Sequence, residues 1–202
     1  MMAELRRERD EAAVEGSCHP SESRIQVGIG RYDEERVIYR GENYGTGGEE
    51  PRTIHIGVDV WVPAGTAVRC VVPGRVHSFA FNDVRLDYGP TLILEHDFKG
   101  ERFYSLYGHL SKASLERWEV GKSFAVGDVL GWVGPYPENG DWPPHLHLAL
   151  ITNMLGLEGN FDGVCRRSEA GKWHILCPNP APLLCLPDDA VRATCVPASP
   201  HL

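Results

Sequence analysis

The sequence has little that would place it on a nucleic acid, in a membrane or on a disulfide scaffold. Its 20 lysines and arginines stand against 28 aspartates and glutamates, a formal charge of -8, whereas phosphate-backbone binding needs a basic footprint. No run approaches the ~18 consecutive apolar residues of a membrane span. Neither a nucleic-acid nor a membrane partner is therefore expected. The opening stretch MMAELRRERDEAAVEGS is charged and has no apolar segment of the secretory kind, so the expected location is cytoplasmic. Six cysteines (Cys18, Cys70, Cys165, Cys177, Cys185 and Cys195) include no CxxC pair. The last three are badly spaced for a zinc knuckle, and in a reducing compartment free thiols are expected rather than a disulfide frame. A long apolar period of 3.6 residues is also missing, which disfavours helix bundles and βαβ sheets. No internal repeat is found.

What is present is enough apolar material for a core, 42% of 202 residues, with 24% charged residues as in soluble proteins. From Thr53 to Ile151 the chain alternates short β-type runs with Gly, Pro, Asn and Asp: IHIGVDVWV, AVRCVV, GRVHSFAF, TLILEH, RFYSLYGHL, VLGWVG and HLHLALI. Runs of this length, rich in β-branched and aromatic residues, predict an all-β antiparallel sandwich, with a helical turn at KASLERWE. Residues 1–24 read as a polar tail, 25–177 as the domain, and 178–202 as a Pro-rich tail outside the core.

The run WPPHLHLAL places His145 and His147 on one face of a strand, since side chains two apart point the same way. The same rule applied to TIHIGVDVWV puts His55, Gly57 and Asp59 on one face, with a glycine where a bulky residue would crowd the other two. Two such strands could offer His55, Asp59 and His147 as a three-donor N,N,O set that leaves a fourth tetrahedral position open, as catalytic zinc sites do. Two neutral imidazoles, one carboxylate and Zn2+ sum to about +1, which favours ionising a bound water. His109, in YGHL, and His145 are then candidate acid and base groups.

These stretches, in this order, resemble the lysostaphin-type zinc metalloendopeptidases. The resemblance rests on His-x-x-x-Asp, Pro-x-Gly-Thr, Tyr-x-His-Leu and His-Leu-His, and covers about Arg52 to Ile151. It implies the duplicated-hybrid-motif β-sandwich, one Zn2+ held by His55, Asp59 and His147, and two catalytic histidines, His109 and His145. It further implies hydrolysis of a peptide bond in peptidoglycan or a similar peptide. The chain departs from the family at GPTLILEH, where Gly-Asn often precedes the strand, and at DWPP before the HxH pair; these loops line the substrate groove in the family, so the resemblance carries the metal site and not the substrate preference. GRYDEERVIY, EPRTIHIGVDVWVPAGT and ENGDWPPHLHLALI are similar to a subgroup without an export signal, in which this domain is joined to kinase-like and aminotransferase domains. Partner or fused enzyme domains follow from that likeness.

Other residues carry plainer readings. His77, His96 and His174 are expected to be structural, and His19 and His201 to lie in the tails. Cys70 is expected in the core, and the five tryptophans in core or loop positions, with Trp142 near enough to HxH to touch substrate. Tyr44 and Tyr107 are candidates for oxyanion binding. Two other functions fit the same sandwich. A non-catalytic binding or regulatory module is disfavoured by the intact set of five residues. A carrier domain similar to sugar-phosphotransfer proteins would use two facing histidines, but it leaves Asp59 without a role.

Overall fold

A computed structural model describes residues 27–36, 39 and 48–185. The expected N-terminal tail, Tyr44 and residues 186–202 lie outside the described residues. The chain runs β1 (Gly28–Gly30), β2 (Arg52–His55), β3 (Val58–Trp61), β4 (Ala67–Arg69), β5 (Gly74–Asn82), β6 (Gly89–Phe98), β7 (Glu101–Gly108) and α1 (Lys112–Leu115). It continues through β8 (Ser123–Phe124), β9 (Val129–Trp132), β10 (Leu146–Ile151), β11 (Val164–Arg166) and α2 (Ala170–Leu176), and ends in a 3-10 turn at Ala181–Leu184. The all-β expectation holds: one seven-stranded sheet, in the order β1-β3-β10-β7-β6-β5-β8, and the pairs β2–β11 and β4–β9, all antiparallel. Among the described residues no helix is long and apolar enough to cross a membrane.

The large sheet is apolar on both faces, which is why its central strands read as continuous apolar runs rather than as alternating patterns. Leu92 and Leu94 of β6, Tyr107 of β7 and Leu148 of β10 point into one cluster, with Val68 of β4 and Leu130 of β9. Their sequence neighbours Ile93, Leu106 and Ala149 point into a second cluster, with Ile54 of β2 and Cys165 of β11. Each small sheet thus closes one face of the large one.

Three expectations are corrected. TIHIGVDVWV is not one strand: it breaks at Ile56 and Gly57, leaving β2 in a small sheet and β3 in the large one. Ile56 and Val58 are both fully buried, so the break turns the chain from one layer to the next without exposing apolar surface. The stretch after Pro178 does not stay outside the core as far as it is described, because Ala181 is buried and Leu184 packs on the first cluster. A helix, α2, follows β11 where none was expected. Its seven residues, AGKWHIL, are too few to show a helical period. The turn expected at KASLERWE is α1.

Cys70, Cys165 and Cys177 are buried free thiols, and Cys185 is exposed. His96 is buried, with Nδ1 2.9 Å from the Pro73 carbonyl and Nε2 2.6 Å from the Ser105 hydroxyl. His174 meets Asp33 at 3.1 Å.

Candidate metal centre

Strand register assembles the centre. Asp59 on β3 lies directly opposite His147 on β10, so the two side chains stand on one face as a cross-strand pair. Gly30 of β1 is the next residue in this row on one side, opposite Asp59, and Gly108 of β7 is the next on the other, opposite His147. His55 arrives from a different sheet, at the end of β2. The break at Gly57 lets it face Asp59, and that glycine is sterically required: a Cβ there would lie 2.4 Å from His147 Cε1 and 2.9 Å from the Leu148 carbonyl oxygen.

The three donor atoms form a tight triangle. His55 Nε2 is 3.1 Å from His147 Nδ1 and 3.3 Å from Asp59 Oδ1, and His147 Nδ1 is 3.0 Å from Asp59 Oδ1. Donors about 2.0–2.1 Å from a tetrahedral cation are separated by edges of roughly 3.3 Å. The triangle therefore has the size of one face of such a site, and the residues fit a divalent cation. All three side chains are buried. Burial alone would push the Asp59 carboxyl up, but the facing imidazoles of His55 and His147 outweigh it and hold the group well below the usual carboxylate range. Burial pulls His147 down to about 4, even against Asp59, which keeps its imidazole neutral and able to ligate.

Proton positions follow from the outer partners. His55 Nδ1 lies 2.8 Å from the Arg31 carbonyl oxygen. A carbonyl only accepts, so Nδ1 carries the proton and Nε2 presents its lone pair to the centre. His147 Nε2 lies 3.4 Å from the Tyr88 hydroxyl, which can accept its proton when Nδ1 is used as a ligand.

His109 and His145 stand beside the triangle. His145 Nε2 is 3.9 Å from Asp59 Oδ1, and the rings of His109 and His145 are 4.3 Å apart between centroids. His145 Nδ1 donates to the Pro143 carbonyl at 2.7 Å and His109 Nδ1 to the Asn139 carbonyl at 2.9 Å. Both rings therefore keep an Nε2 lone pair. Burial lowers the pKa of both. For His109 the neighbouring His145 and His147 lower it further, to well below the ordinary value, whereas Asp59 partly offsets the fall for His145. Both are neutral at pH 7. His109 also sits in left-handed backbone, φ 60°, a conformation held by Tyr88 and Gly134, whose backbone bonds its own amide and carbonyl at 2.8 Å each. Strain of this kind in a non-glycine residue clusters at functional sites.

A cleft of about 870 Å3 opens over the five residues, walled in part by Arg36, Tyr39, Trp61, Tyr88 and Trp142. A model of Peptidase family M23 matches residues 53–157, more than half of the chain. The chain belongs to peptidase family M23. Solved structures similar to it include the solution structure of lysostaphin, at 21% identity, 69% of this chain, 47% of that one and a TM-score of 0.44. The catalytic domain of the antimicrobial peptidase lysostaphin from Staphylococcus simulans matches at 20% identity, 64% of this chain, 93% of that one and 0.42. A mutant catalytic domain of the prophage-encoded M23 protein EnpA from Enterococcus faecalis matches at 22%, 59%, 87% and 0.43. This chain thus spans about half the length of the first of these. No curated protein matches the chain.

The five histidine and aspartate residues singled out in the sequence come together in this M23 domain, and the residues that hold them lie outside that set. Arg36 binds Asp59 Oδ2 at 2.6 Å, Tyr88 backs His147, and Trp61 stacks on His145 with centroids 4.2 Å apart. The expectation for Trp61 is only a core or loop role. Its place at the end of β3, two residues past Asp59 and hence on the same face, was the available signal. Tyr107, proposed for an oxyanion, is corrected: it is 2% exposed in the first apolar cluster, on the sheet face opposite to Leu106 and the second cluster. Trp142 does wall the cleft, edge-on to His145 at 6.2 Å.

Proposed function

We propose that this M23 domain is a zinc-dependent endopeptidase that hydrolyses a peptide bond in peptidoglycan cross-links or a similar peptide. The observation that carries the reading is the buried triangle of two imidazole nitrogens and one carboxylate oxygen, with two more neutral histidines presenting unprotonated Nε2 atoms beside it. Two nitrogen donors and one oxygen donor at tetrahedral spacing suit zinc. When bound, zinc would polarise the scissile carbonyl and bring the pKa of a water towards 7.

The chain's own groups supply the rest. His109 and His145, neutral and held by backbone carbonyls, are placed to take one proton and to return it to the leaving amine. Trp61 and the Pro143 carbonyl fix the plane and tautomer of His145, and the Asn139 carbonyl does so for His109. Trp61, Tyr88 and Trp142 give the cleft aromatic walls against which an extended peptide would pack.

Purified full-length protein is expected to cut muropeptides, or Gly-rich and D-Ala-containing peptides, in a reaction that stops with chelator and returns with zinc. Cleavage that persists through exhaustive chelation would contradict the metal-dependent reading.

A further inference from the structure

The centre is completed by a segment upstream of the M23 match. Residues 31–36 run along β2: Asp33 N–H donates to the His55 carbonyl at 2.8 Å, His55 N–H to the Glu34 carbonyl at 3.0 Å, and Arg36 N–H to the Thr53 carbonyl at 2.8 Å. This strap supplies the Arg31 carbonyl that fixes the His55 tautomer, and it delivers Arg36 to Asp59. The Arg36 guanidinium is itself held on two further sides. Nε donates to Glu34 Oε2 at 3.0 Å, and Nη1, which also reaches Asp59 Oδ2 at 2.6 Å, is 2.9 Å from the Tyr39 hydroxyl. Both members of the pair are largely out of solvent, at 12% and 2% side-chain exposure. Gly30, opposite Asp59, leaves the passage open, because a Cβ there would lie 2.4 Å from Arg36 Nη2.

We propose that Arg36 is a positioning residue for the metal. By occupying Oδ2, it leaves Asp59 only Oδ1 to offer, turned to the nitrogens of His55 and His147, so that the carboxylate is a single-oxygen ligand and a coordination position stays free. A carboxylate torsion is otherwise broad, and a carboxylate can bind a cation through both oxygens. The inference rests on the metallopeptidase reading, and it has an opposing effect that gives the test its sign. A cation beside a metal ligand repels the metal, so a purely electrostatic Arg36 would weaken zinc binding and its loss would tighten it. A positioning Arg36 does the reverse.

The test is zinc affinity of the full chain by chelator competition, together with the visible absorption of the Co2+-loaded protein, for wild type, Arg36→Met, Arg36→Lys and Tyr39→Phe. Outer-shell partners of metal ligands typically contribute 10–100-fold in affinity. Arg36→Met is expected to lose about that much, and its Co2+ bands to weaken as a second carboxylate oxygen joins. Arg36→Lys should recover part of the affinity, since an ammonium restores the charge but not the planar fork. Tyr39→Phe, which removes one hydroxyl and no charge, should shift affinity in the same direction and carries the test if Arg36→Met does not fold. Affinity that is unchanged or tighter in the variants, with unaltered Co2+ spectra, overturns the proposal while leaving the metal site intact. Wild-type protein that binds no zinc overturns the metallopeptidase reading instead.

Discussion

The double variant His109→Ala, His145→Ala is expected to retain its zinc and to lose peptide cleavage by about 10²–10⁴-fold, the range that proton transfer by a positioned group supplies. Retention follows from geometry, because neither ring belongs to the triangle of His55, Asp59 and His147. Loss follows from protonation. Each ring donates through Nδ1 to a backbone carbonyl and so holds Nε2 as an acceptor, and burial keeps both neutral at pH 7. Among the described residues, the other histidines lining the cleft are His55 and His147, both members of the donor triangle. Turnover on a Gly-rich peptide, measured beside zinc content on the same sample, separates the two functions. Undiminished turnover would make the pair spectators. Loss of zinc along with activity would mean that they hold the metal rather than move protons.

Gly57→Ala should have a comparably large effect through one methyl group. The added Cβ would sit 2.4 Å from His147 Cε1, 2.6 Å from its Nε2 and 2.9 Å from the Leu148 carbonyl oxygen, all far inside contact distance. The backbone of β10 cannot retreat without breaking its ladders to β3 and β7. The His147 ring cannot swing away because Tyr88 stands behind it, with ring centroids 5.0 Å apart. The ring must therefore leave its ligating orientation, and zinc affinity measured by chelator competition is expected to fall by about 100-fold. An affinity within a few-fold of wild type would show that the site has slack which this packing does not.

The donor set was legible because two local patterns, His-x-x-x-Asp and HxH, place side chains at fixed spacings. His55, Asp59 and His147 do come together, though not on the continuous strand that periodicity predicts. His55 and Asp59 face each other across a break between two sheets, and periodicity alone cannot reveal a break that has no exposed residue to mark it. Tyr107 differs from expectation for a related reason. Proximity to His109 in sequence suggested the cleft, yet strand alternation puts Tyr107 on the face of Leu92 and Leu94, and its register partner Leu148 points into the same cluster. Arg36 and Tyr88 were out of reach of any local rule: one meets Asp59 across 23 positions and the other meets His147 across 59. Only the two glycines that flank the row hinted at them. Gly30 leaves room for Arg36, and Gly108, where a Cβ would lie 2.5 Å from the Tyr88 ring, leaves room for Tyr88. In a sequence, such a glycine reads as a turn or a bulge before it reads as space for a neighbour.

Zinc content of the freshly purified full chain, by elemental analysis and beside that of Asp59→Ala, tests the central claim most directly. About one zinc per wild-type chain and almost none in the variant is the expected result. A wild-type chain without zinc, or an Asp59→Ala chain that keeps it, would contradict the convergence of these three side chains on one ion.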